Sequence, residues 1–221
     1  MAQRFTLLDE TYYDALCRVV DALEREGIPF CLVGGGAAQA WIASLRTGEG
    51  TRRLSDEPTL AGALRKTRDL DFSTRVGEAE MLVILNGLAA LHGEGAHVLG
   101  PRALRLGGVS LSFTLEPADL SGMAILYDVF LASRTTLRLR RSRKVDEVPT
   151  IGLEALLATK LTRRGDKAKD VLDLTELLAS ARDAHRAVDL AMVRRLVEGQ
   201  PEALSLPEEI AERIEEDEGN S

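Results

Sequence analysis

A short apolar run, Phe30-Cys31-Leu32-Val33, passes directly into Gly34-Gly35-Gly36, and the residues from Ala37 to Leu45, Trp41 among them, have helical character. Few features restrict a chain more. Four apolar residues of this kind suit a buried strand, and three glycines end it abruptly. Strand, glycine turn and helix in that order let a backbone approach a ligand closely. The start of the new helix then offers N–H groups and a positive dipole end to an anion. The same order also suits a turn that only packs the helix on the sheet. The glycines alone leave both readings open.

A second stretch carries acid. In Asp69-Leu70-Asp71-Phe72, strand alternation puts Asp69 and Asp71 on one face, with their Cα atoms about 7 Å apart. Leu70 and Phe72 then face the other way, into a core. Two carboxylates so close repel each other unless a cation lies between them. An all-oxygen donor set suits Mg²⁺, which takes a few carboxylates together with phosphate and water. A solvated turn is the plainer reading of the same pattern. A third acid, Asp128, interrupts the apolar strand Met123–Ala132. Buried and unpaired, an ionised carboxylate there costs on the order of several kcal/mol. It must pair with a base, hold a proton, face solvent or bind a metal.

The chain has 221 residues, 45% of them hydrophobic, enough for a sizeable core. Its organisation is mixed α/β over residues 1–150, then helical over 151–221. The helices expected are residues 9–26, ended by Gly27, residues 78–91, two between 151 and 180, and two more near 188–198 and 207–218. Beyond the strands already named, Ser110–Glu116 alternates cleanly, and Ala96–Leu99 and Ala103–Leu106 read as two short strands about Gly100-Pro101. No apolar run reaches the roughly 18 residues of a membrane span, and no secretory signal opens the chain. Cys17 and Cys31 read as reduced, buried thiols, which fits a cytoplasmic setting. His92, His97 and His185 have no zinc-ligand spacing. The net charge of −7 sits largely in Pro207–Ser221, where seven acids accompany one arginine. The body is near neutral, so charge does not exclude a phosphate-rich partner. The basic run Arg134, Arg138, Arg140, Arg141, Arg143 and Lys144 fits a guarded edge hairpin or a polyphosphate contact. It has no interleaved aromatics for base stacking.

Together these motifs resemble the nucleotidyltransferase superfamily of the DNA polymerase beta type. The matching pieces are Leu32-Val33-Gly34-Gly35-Gly36-Ala37, then Arg65-x-Thr67-x-Asp69-Leu70-Asp71-Phe72, then Asp128. The pairs Ala158-Thr159-Lys160-Leu161 and Lys169-Asp170-x-x-Asp173-Leu174 are similar to the C-terminal signature of the AbiEii-like branch, which includes bacterial toxins of toxin–antitoxin systems. The resemblance implies an α/β (α+β) fold, a nucleotidyltransferase-like mixed sheet flanked by helices and followed by a C-terminal helical lobe. It implies transfer of a nucleoside monophosphate from a nucleoside triphosphate to an acceptor hydroxyl on RNA, protein or a small molecule, with Mg²⁺ or Mn²⁺ as cofactor and an antitoxin as partner. Asp69, Asp71 and Asp128 would be the metal ligands and, with Lys160, the catalytic set. Gly34, Gly35, Gly36, Arg65, Thr67, Lys160, Lys169 and Asp170 would bind the nucleotide. Asp69 lies 34 positions after Gly35, a long gap for this family, and the intervening loop is read as a substrate lid or an insertion. The alternative is an inactive module of the same fold that binds nucleotide or a protein partner.

Overall fold

The computed structural model describes residues 19–47, 69–74, 79–80, 82–84, 86–87, 97–104, 108–115, 125–132, 143–145, 148–162, 167–198, 209–210 and 212. The helix over residues 19–25 buries Val19, Val20 and Leu23, the stripe its periodicity predicts. Its end is the expected glycine stop. Gly27 sits at φ +64°, and the amides of Gly27 and Ile28 donate back to the carbonyls of Glu24 and Leu23 at 3.0 and 2.9 Å.

Strand β1 (Phe30–Val33) is buried throughout. It enters helix α1 (Gly34–Thr47) with no intervening loop. The three glycines, expected to form a turn ahead of a helix starting at Ala37, are instead its first turn. The physical reason is Gly34, whose φ of +67° reverses the chain within one residue, a backbone state that a Cβ disfavours.

The strands that follow are β2 (Asp69–Thr74), β3 (His97–Leu104), β4 (Gly108–Leu115), β5 (Ile125–Ala132), β6 (Arg143–Val145) and β7 (Val148–Thr150). They form one mixed sheet in the order β3-β4-β5-β2-β1-β7-β6. The β2–β5 and β1–β7 pairs are parallel and the others antiparallel. Two short strands were expected near Gly100-Pro101. They are one strand whose register against β4 shifts between Leu99 and Arg102, because a proline cannot donate to the ladder and bulges accommodate it. The short strand β7 was not expected. The basic stretch at 134–142, the loop at 48–64, Cys17 and His92 lie outside the described residues.

Helices α2 (Leu153–Thr162), α3 (Lys167–Asp183) and α4 (Leu190–Leu196) come next. Leu32, Phe72, Leu153, Leu156, Leu157, Leu174 and Leu177 are almost fully buried in a core shared by the sheet and these helices. Phe30 and Phe72 meet edge to face, ring centroids 6.1 Å apart, the arrangement that ring quadrupoles favour. Helix α1 is fastened to α3 by Arg46, whose guanidinium donates to Glu176 Oε2 at 2.5 Å and to Ser180 Oγ at 3.0 Å. Both ion partners are half-buried. Arg46→Met is therefore expected to lower stability by about 1 kcal/mol, a charge-assisted contact partly screened by solvent. The urea midpoint should fall with an unchanged slope. An unmoved midpoint would show that the contact contributes nothing.

Candidate functional site

The central strands decide where the acids go. Asp71 on β2 is the register partner of Val33 on β1 and of Asp128 on β5. Asp128 is in turn paired with Ser112 on β4. One row across four strands therefore reads Val33, Asp71, Asp128, Ser112. Asp69, two residues back from Asp71, pairs with Leu126, and strand alternation gives it the same face of the sheet. Neighbouring strands lie about 4.8 Å apart. Asp71 and Asp128 thus occupy adjoining register positions on parallel strands, and carboxylates brought that close would repel one another without a cation between them.

Asp71 is buried, at 6% exposure. It packs against the strand–helix bend. A Cβ built on Gly34 would lie 2.8 Å from Asp71 Cγ, 3.1 Å from its Cβ and closer still to Oδ2. Only glycine permits that approach. The residue at the bend thus answers two demands, a positive φ and an unobstructed path for the carboxyl of Asp71. Gly35 and Gly36 are buried in the first turn of α1. Helix geometry directs the first-turn N–H groups out of its N-terminal end, the end that begins beside Asp71.

Lys160 stands in surroundings that its motif did not suggest. Its side chain is 3% exposed, and Nζ donates to Asp170 Oδ1 at 3.1 Å and to Asp173 Oδ2. All three groups are buried, and they tie α2 to the first two turns of α3. Asp170 lies in the first turn of α3, where the helix dipole favours negative charge. Lys169 is half-buried on the same turn. The Asp173 carboxylate, at i+4 from Lys169, accepts from Lys160. Arg65 and Thr67 lie outside the described residues.

A carboxylate set of this kind is chemically suited to Mg²⁺ or Mn²⁺, hard cations that take oxygen donors. Among residues with described side chains there is no group of three or more His, Cys, Asp and Glu that could hold a metal ion, and no described helix is long and apolar enough to cross a membrane. Sequence reasoning missed Ser112, which has no local signal and enters the row only through β4–β5 register. It also missed the contact between Gly34 and Asp71, since nothing in the sequence tells which acid a glycine must admit.

No family model matches the sequence, and no curated protein does. Solved structures do resemble it. JHP933 from Helicobacter pylori matches with a TM-score of 0.50 and 14% identity, over 96% of this chain and 97% of that one. A putative nucleotidyltransferase from H. pylori superposes more loosely, with a TM-score of 0.46 and 15% identity over 95% and 98% of the two chains. So does the antibiotic-resistance factor ANT(2'')-Ia, at 0.47 and 17% over 91% and 97%. The mixed sheet with flanking helices is a fold shared nearly end to end with JHP933, and at 14% identity the likeness concerns the fold alone.

Proposed function

We propose that the protein is a metal-dependent nucleotidyltransferase, moving a nucleoside monophosphate from a nucleoside triphosphate to an acceptor hydroxyl, with the AbiEii-like toxins as its nearest functional model. The observation that carries this reading is the register of Asp71 with Asp128 on neighbouring parallel strands, beside the bend at Gly34. Asp69, Asp71 and Asp128 would hold Mg²⁺ or Mn²⁺, and such ions supply neutralisation of phosphate charge when bound. The first-turn amides of α1 would receive phosphate oxygens, a task for which a helix start is suited. Asp128 would take the proton of the acceptor hydroxyl. The acceptor oxygen then bonds to the α-phosphorus, the α–β bridging P–O bond breaks, and pyrophosphate leaves with that electron pair. The acceptor is RNA, protein or a small molecule on this reading. A role in a toxin–antitoxin pair rests on the sequence motifs.

The test is label transfer from α-labelled nucleoside triphosphates, with Mg²⁺ or Mn²⁺, into total RNA and cell lysate. Asp71→Asn should lower transfer by at least about 100-fold, since loss of even an outer partner of a metal ligand costs about 10–100-fold. Equal transfer by the wild type and a folded Asp71→Asn variant removes the proposal. Nucleotide binding indifferent to Mg²⁺, with no transfer into any acceptor, would point instead to the inactive binding module.

A further inference from the structure

Ile151 is bonded to both sides of the glycine bend. Its N–H donates to the carbonyl of Leu32 at 3.0 Å, two residues before Gly34. Its own carbonyl accepts from Trp41 Nε1 at 2.7 Å, seven residues after Gly34. Leu32, Trp41 and Ile151 are all buried. A ring therefore closes from β1 through the bend and along α1 to Trp41, then through Ile151 back to β1. The guanidinium of Arg186 lies 4.7 Å from the centroid of the Trp41 ring. It is brought there by the turn that ends α3, in which His185 at φ +51° lets Arg186 N–H reach back to the Ala181 carbonyl at 2.8 Å.

Burial alone would hold α1 on the sheet, since Ala37, Ala38, Ile42 and Ala43 are all in the core. Apolar contact is not directional, however, and lets a helix slide by fractions of an ångström. A buried indole N–H that must reach one carbonyl is directional, and leaving that carbonyl without a donor is costly. The bridge fixes the helix after Gly34 relative to the strand before it. That relation sets how closely Gly34 meets Asp71.

We propose that Trp41 is a positioning residue for the candidate site. Through Ile151 it holds the Gly34 bend against the Asp71 carboxyl and so tunes cation binding without touching the cation. The inference rests on the metal-binding reading of Asp71 given above. Trp41 is the only tryptophan in the chain. It can therefore be replaced site-specifically by benzothienylalanine, which keeps the ring shape and lacks the N–H, alongside Trp41→Phe. In the full-length protein, amide exchange over residues 37–41, the first amides of α1 bonded within the helix, should quicken about tenfold in either variant, as expected when a buried hydrogen bond holding a segment is lost. Exchange in α3 should not change. The affinity for Mn²⁺, read from the free-ion EPR signal, should weaken by a similar factor while the far-UV spectrum stays native.

Unchanged exchange over 37–41 in the folded benzothienylalanine protein overturns the bridge. Faster exchange with unaltered Mn²⁺ affinity overturns its connection to Asp71. A wild type that binds no Mn²⁺ overturns the metal reading itself, and the exchange data still judge the bridge separately.

Discussion

Gly34→Ala is expected to be far more damaging than Gly27→Ala, although the two glycines share nearly the same backbone, φ +67° and +64°. At either position alanine bears the steric cost of a left-handed conformation, about 1–2 kcal/mol. At Gly27 nothing lies within 4 Å of the added Cβ, so the cost ends there. At Gly34 the methyl group meets the carboxyl and Cβ of Asp71. Both belong to the sheet interior and cannot simply swing aside. Overpacking of that kind adds about 1–3 kcal/mol. The strain would be relieved by moving Asp71, the register partner of Asp128. Urea unfolding of the two variants measures the difference, and nucleotide transfer measures its consequence. Gly27→Ala should retain transfer, and Gly34→Ala should lose it. Two variants of equal stability and equal activity would mean that the bend does not depend on its contact with Asp71.

Lys160→Met should be the most destabilising single change among the charged residues described. The ammonium is shared by two buried carboxylates, Asp170 and Asp173. Breaking a buried ion pair from one side costs about 3–5 kcal/mol, because charge stays behind in a low-dielectric interior. Replacing all three groups together, as Lys160→Met with Asp170→Leu and Asp173→Leu, should recover most of that loss, since no buried charge is then left. Equilibrium denaturation of the single and triple variants tests this directly. If the triple variant is as unstable as the single one, the cost lies in packing and not in charge. The comparison bears on function as well. The motif around Lys160 suggests a phosphate contact, yet loss of activity on removing Lys160 has a structural cause ready to hand. A phosphate role requires a variant that loses transfer at intact stability.

The elements with strong local patterns were legible without coordinates. The buried stripe of the helix over residues 19–25 and its stop at Gly27, the strand Phe30–Val33 and the stripes of α2 and α3 all follow from spacing that any window of the chain displays. The acids at 69, 71 and 128 stand out in the sequence too, the first two by their spacing on one strand face and the third by interrupting an apolar strand. Local pattern failed where neighbours decide. Gly34-Gly35-Gly36 looked like a loop because glycine is a poor helix former. The chain makes those residues helical because their backbone abuts Asp71 and α1 is anchored by Trp41 and Arg46. The motif around Lys160 pointed to a nucleotide and not to Asp170 and Asp173, because those partners are 10 and 13 residues away on another helix.

The sequence by itself determined which residues must leave water, and which acids would be troublesome once they did, because hydropathy and charge belong to each side chain. Register was settled only in three dimensions. Asp71 stands beside Asp128 because β2 and β5 run parallel in one alignment, and a shift of one residue would have sent one of them to the opposite face. That alignment is chosen by the burial of whole strands and helices together, a sum that no short stretch of chain contains.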